Sequence, residues 1–206
     1  MSAKTVIVDY KMGNINSVLK KLNRVNARTV VSSDPKVILS ADKIILPGVG
    51  HFKKAMQNII SLNLKNTLDE LAFVKKTHIL GICLGMQLFA KHSEEGDVEG
   101  LGWIDADVNK FRISDNLKFK VPHTGWNQIY LKKDSELMKG IPEHSDFYFV
   151  HSFHYKCNDE KDVLNETEYE YKFVSAVEKD NIFGVQYHPE KSHDAGEKIL
   201  ENFIKL

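Results

Sequence analysis

Apolar positions along the first half of the chain alternate between two rhythms. Lys4 to Asp9 (KTVIVD) is a β-branched run without polar alternation, the form taken by a parallel-sheet strand buried on both faces. Ile15, Val18, Leu19 and Leu22 then fall at i, i+3, i+4 and i+7, so Gly13 to Arg24 is predicted as an amphipathic helix. The strand rhythm returns at Ala27 to Val31, Lys43 to Leu46 and His78 to Ile82, with helices predicted around Phe52 to Ile60 and Leu64 to Lys76. Repeated βα units predict a parallel sheet with helices on both faces. After Gly100 the texture changes. Trp103 to Phe111, Asn127 to Leu131, Asp146 to Tyr155 and Phe173 to Glu178 read as antiparallel strands extending one edge of the same sheet. An apolar run, Ile182 to Gln186, and a helix from about Ala195 to Leu206 close the chain. The expectation is an α/β fold: a mostly parallel central sheet flanked by helices, with antiparallel strands in the C-terminal half. No repeat or linker interrupts it, so residues 1–206 are expected to form one domain.

Composition narrows the class. Twenty-eight Lys and Arg against 28 Asp and Glu give a formal net charge of zero, which argues against a nucleic-acid clamp. Two cysteines do not make a disulfide framework, and Met1 to Val8 does not read as a signal peptide. No window approaches a membrane span. A soluble globular protein of a reducing cytoplasm, without membrane or nucleic-acid partners, is expected.

The most informative stretch is His78 to Ala90 (HILGICLGMQLFA). Its strand ends in Gly81-Ile82-Cys83-Leu84-Gly85, and helical spacing begins at once. This is a thiol version of the nucleophile elbow, with glycines where neighbouring chains pass too close for a Cβ. The helix start beyond Cys83 offers free N–H groups and a positive dipole end. Lys43 to Gly50 (KIILPGVG) ends a second buried strand in a glycine-flanked loop at the carboxyl end of the sheet. Val49, Gly50 and Leu84 are therefore candidate oxyanion donors.

A nucleophilic cysteine needs a base and a group to orient it. His188 and Glu190 lie two apart, on one face if the backbone is extended, and Pro189 keeps His188 out of the helical region. His151, His154 and Cys157 lie three apart, so on a continuous strand consecutive ones point to opposite faces, and no metal site is expected.

Together these stretches resemble class I glutamine amidotransferases, which carry GxCxG and a late HisProGlu. The likeness extends over LeuProGlyValGlyHisPhe at 46–52, GlyLeuGlyTrp at 100–103, ValProHis and GlyTrpAsn at 121–127, and TyrPheValHisSer at 148–152. Within the family the chain is similar to glutaminase subunits of imidazole glycerol phosphate synthases, of histidine biosynthesis. The resemblance implies Cys83 as nucleophile, His188 as base and Glu190 as its orienting acid. It also implies oxyanion contacts from Leu84 and Val49, contact of Gln87 with bound L-glutamine, and no cofactor. Ammonia would pass to a (β/α)8 barrel in a heterodimer, with Asn14, Pro122, His123, Trp126, Asn127, Tyr148 and Lys191 facing that barrel. Two positions depart from the family: Lys11, usually Gly, and Thr124, usually Met. Service to a surface-sugar synthase, a γ-glutamyl or cysteine hydrolase, and a non-catalytic binding module with a packed Cys83 remain open.

Overall fold

The computed structural model describes residues 3–206; the first two residues of the stretch read against a signal peptide lie outside it. Strands β1 (Lys4–Val8), β2 (Arg28–Ser32), β3 (Lys43–Gly48) and β4 (His78–Cys83) alternate with helices α1 (Ile15–Arg24), α2 (Pro35–Leu39), α3 (Phe52–Ser61), α4 (Lys65–Asp69) and α5 (Leu84–Gln87). The second half contributes β5 (His92–Ser93), β6 (Val98–Glu99), β7 (Ala106–Lys110), β8 (His123–Gln128), β9 (Tyr130–Leu131), β10 (Asp146–His151), β11 (Phe153–Cys157), β12 (Val163–Tyr169), β13 (Tyr171–Lys179), β14 (Ile182–Val185) and helix α6 (His193–Lys205).

The main sheet runs β2-β1-β3-β4-β14-β13-β11-β7-β5-β6, with β12 and β9 branching from β13. Its parallel part spans β2 to β14; β13 pairs antiparallel to β14 and begins the extension. β3, buried at every position, and the mostly buried β1 and β4 explain their unalternating sequences. One apolar cluster centred on Phe52, Met56, Leu68 and Phe89 covers one face. A second, of Val18, Leu22, Phe147, Phe149, Tyr187 and Phe203, covers the other. No helix among the described residues is long and apolar enough to cross a membrane.

The sequence reading needs several corrections. The helix expected over Leu64 to Lys76 is α4 followed by a π-helical turn, Glu70–Val74. Asp146 to Tyr155 is two strands broken at Ser152: β10 pairs only with β8, in a separate two-stranded sheet, while β11 joins the main sheet through β7 and β13. The strand expected from Asn127 begins at His123 and breaks after Gln128, and that expected over Trp103 to Phe111 shortens to β7. Helix α2 and strand β12 were not anticipated.

Candidate active site

Register brings the two glycine-bearing strand ends together. β3 and β4 are parallel neighbours with Gly48 opposite Cys83, so the Pro47–Gly50 loop leaves the sheet beside the thiol. Cys83 sits at φ 53°, ψ −111°, a strained conformation for a residue with a Cβ, and its chain turns directly into α5. The close approach expected at the elbow glycines is present. A Cβ on Gly85 would lie 1.7 Å from the Leu46 carbonyl oxygen, and one on Gly81 would lie 2.6 Å from the Phe89 ring. The helix beyond is a single turn, shorter than the periodicity through Phe89 suggests, and Tyr155 donates its hydroxyl to the Met86 carbonyl at 3.0 Å.

β14 lies on the other side of β4, with Val185 opposite Ile82, and delivers Gln186 to Glu190 to the same edge. His188 and Glu190 meet through a turn: Pro189–Lys191 is 3-10 helical, which corrects the extended backbone assumed from their spacing. His188 Nδ1 lies 2.8 Å from Glu190 Oε1, both side chains are buried, and Nε2 has no hydrogen-bond partner. Burial works to lower the imidazole's pKa, but the Cys83 sulfur and the Glu190 carboxylate outweigh it and push it up to about 10.

Cys83 opens on a cavity of about 250 Å³ lined by Val49, Gly50, Leu84, Gln87, Glu95, Pro122 and the Val150–Phe153 segment. Two larger hollows near Glu136 and Lys139 hold neither thiol nor imidazole, so chemistry rather than size singles out this one. Gln87 lies in it, but its amide nitrogen donates to Phe153 O at 3.1 Å and Gln186 Oε1 at 2.9 Å, which leaves its oxygen for a ligand. Sequence reasoning missed two residues. Glu95 contributes a carboxylate to the wall while Oε2 accepts from the Phe52 amide at 2.7 Å. Gln186, fully buried, donates to Cys83 Sγ at 3.5 Å. Its place two residues before His188, just past the end of the strand that delivers that histidine, was the available signal.

The seven residues expected at a partner face do not all reach a surface. Trp126 is 47% exposed and stacks on His193 at 4.8 Å. Tyr148, opposite Trp126 on β10, carries Lys191 over its ring at 5.3 Å. Asn14 caps α1 and Pro122 is exposed, while Asn127 donates to Glu168 O at 2.9 Å. His123 is a correction. It is 3% exposed, its ring stacked on Phe149 and Tyr169, because the alternation of β8 turns it inward while Trp126 turns out. Lys11 occupies φ 65°, where the family's Gly is unstrained, and its amide and ammonium both reach Asp9 at 2.9 Å.

The break at Ser152 also changes the argument about His151, His154 and Cys157. Both imidazoles pack on Phe111, with ring centroids 5.2 and 4.7 Å away, whereas Cys157 lies apart. Burial pushes its thiol up to about 12, with Asp162 adding to the rise. Among the described residues no group of three or more His, Cys, Asp or Glu is arranged to hold a metal ion.

A buried thiol on a strained elbow, an imidazole–carboxylate pair on the adjoining strand end and a cavity beside the sulfur form the constellation of a cysteine amidase. Residues 6–206 match the family described as glutamine amidotransferase class-I, and the chain belongs to it. Among its relatives is imidazole glycerol phosphate synthase subunit HisH 2 of Methanococcus maripaludis, 48% identical over 97% of this chain and 98% of that protein. Subunit HisH 1 of Campylobacter jejuni strain RM1221 is 49% identical over the same shares. Among solved structures, PurLQS from Thermotoga maritima superposes with a TM-score of 0.75 at 16% identity, covering 100% of this chain and 99% of that one. The glutaminase domain of Trypanosoma brucei CTPS gives 0.64 at 19% identity, covering 97% and 92%. These two share the fold.

Proposed function

We propose that the chain is the glutaminase subunit of an imidazole glycerol phosphate synthase, acting in the cytoplasm as a heterodimer with a (β/α)8 barrel. The observation that carries the chemistry is the convergence of Cys83, His188 and Glu190 at adjoining parallel strand ends. Near-full-length identity to subunits of that name supports the acceptor over a surface-sugar synthase or a γ-glutamyl or cysteine hydrolase.

In this reading the Cys83 sulfur attacks the side-chain amide carbon of L-glutamine. The amides of Leu84 and Val49, with Gly50 beside them, hold the tetrahedral oxyanion. His188 gives its proton to the departing nitrogen, ammonia leaves, and a γ-glutamyl thioester remains on Sγ. Water attacks the thioester, His188 takes its proton, and the C–S bond breaks to release glutamate. Glu190 orients the imidazole throughout. The α-ammonium of the substrate finds the Glu95 carboxylate and the Gln87 oxygen on the cavity wall. Cys83→Ala is expected to abolish glutamine hydrolysis in the complex without altering the circular dichroism spectrum. Full activity in that variant would refute the assignment. The isolated subunit is expected to turn over glutamine far more slowly than the complex, since released ammonia is otherwise wasted.

A further inference from the structure

Two runs of hydrogen bonds meet at the Phe153 carbonyl, one coming from the two-stranded sheet and the other leading through Gln87 and Gln186 to the Cys83 sulfur. Their directions follow from that carbonyl, which only accepts. The Phe153 carbonyl faces His151 Nδ1 at 2.7 Å and Gln87 Nε2 at 3.1 Å, so His151 carries its proton on Nδ1. Burial holds this ring well below the usual imidazole range and His123 down to about 4, so both are neutral at pH 7. His151 Nε2 is therefore an acceptor, and His123 Nδ1, 3.1 Å away, is its donor. That leaves His123 Nε2 to accept from Asn127 Nδ2 at 3.4 Å. In the other direction Gln87 spends its second amide hydrogen on Gln186 Oε1, which turns the Gln186 nitrogen toward Cys83 Sγ. Within either run, reversing a member would set like against like in a buried setting. Gln87, fixed by the Phe153 carbonyl, thus fixes Gln186.

We propose that Gln186 is a positioning residue for the nucleophile: it aims an N–H at the Cys83 sulfur, and Gln87, itself oriented by the Phe153 carbonyl, holds it that way round. This role rests on Cys83 being the nucleophile of the reading above. A hydrogen bond to sulfur is stronger when the sulfur carries charge, so the amide favours the attacking thiolate over the thiol and fixes the direction of its lone pairs. Gln186 does not line the cavity, which separates this task from substrate binding.

The test is the rate of Cys83 carboxamidomethylation by iodoacetamide across pH, followed by peptide mass spectrometry in the intact chain. Gln186→Met keeps the length and removes the donor. Gln186→Glu keeps the shape and the bond from Gln87, and covers the case in which the Met variant does not fold. Both are expected to react about tenfold more slowly at pH 7, with the profile displaced to higher pH. In complex with the barrel, kcat is expected to fall by a similar factor with KM for glutamine within about twofold. A purely structural role would lower the melting temperature and leave the profile of the folded protein in place. Profiles superimposing on the wild type in both variants overturn the proposal. If glutamine is not hydrolysed by the wild-type complex but the profiles still shift, the positioning role stands and the glutaminase reading falls.

Discussion

His188 Nδ1 and Glu190 Oε1 are 2.8 Å apart, and at the outer ends of this buried pair His188 Nε2 and Glu190 Oε2 have no hydrogen-bond partner. Leaving two polar atoms unpaired inside a protein costs about 1–3 kcal/mol each. A pair selected for stability would be closed at both ends; this one keeps a nitrogen free for a proton in transit. Glu190→Gln preserves the size and the accepting oxygen but removes the charge that favours the imidazolium. We expect kcat for glutamine hydrolysis by the complex to fall at least about a hundredfold with little change in KM. Steady-state kinetics within a few-fold of the wild type would remove Glu190 from the mechanism.

The conformation of Cys83 implies a trade between stability and activity. At φ 53°, ψ −111° a residue with a Cβ carries strain of about 1–3 kcal/mol, whereas glycine adopts such angles freely. Cys83→Ala and Cys83→Gly both remove the sulfur, but only the second relieves the strain. The glycine variant is expected to unfold at a higher urea concentration than the alanine variant, by about 1 kcal/mol. Equal midpoints would mean that the elbow is not strained.

Much of this architecture is legible in the chain, and the illegible parts share a cause. The parallel strands declare themselves as β-branched runs because both faces are buried, and the elbow declares itself through glycines placed around one cysteine. β12 escaped notice because its inward positions include Asn165 and Thr167, polar residues that read as a loop until Ser175 and Tyr187 are seen to satisfy them. Ser152 breaks a strand without glycine or proline to announce it. Gln186 and Glu95 gained their roles only through distant partners, Cys83 in one case and the Phe52 amide in the other. Local pattern specifies elements and turns; buried polar pairing is a property of the assembled fold.

Acid should loosen the half of the molecule around Phe111. Burial lowers the pKa of His123 to about 4, that of His151 well below its usual value, and that of His154 in the same direction. Between about pH 6.5 and 4 the unfolded chain therefore binds protons that the folded chain refuses, and stability falls as pH falls. For His123 alone the full span corresponds to roughly 3 kcal/mol. The contribution is complete above pH 6.5 and is lost on descent through the folded-state values. Urea midpoints measured from pH 7.5 to 4.5 should decline, and His123→Phe, which keeps a ring between Phe149 and Tyr169, should flatten the decline even if it is less stable at pH 7. Parallel curves for the two proteins would contradict the burial of a neutral imidazole.

Trp126 is the exposed aromatic of the face that the family resemblance assigns to the barrel. Its indole lies flat on His193, with planes 6° apart, and edge-on to Tyr148 at 6.0 Å, so a large apolar surface is held in one orientation before any partner arrives. Pre-ordered aromatic side chains of this kind dominate interfaces because little rotamer entropy remains to be lost on docking. At 47% exposure the ring contributes little to the folded core, so its truncation separates association from stability. Trp126→Ala is expected to weaken binding of the barrel by about 2 kcal/mol, roughly thirtyfold in Kd, with the melting temperature of the isolated chain nearly unchanged. Titration calorimetry against the purified barrel measures the first, and saturating barrel should restore glutamine turnover. An unaltered Kd would place the interface on another face of the molecule.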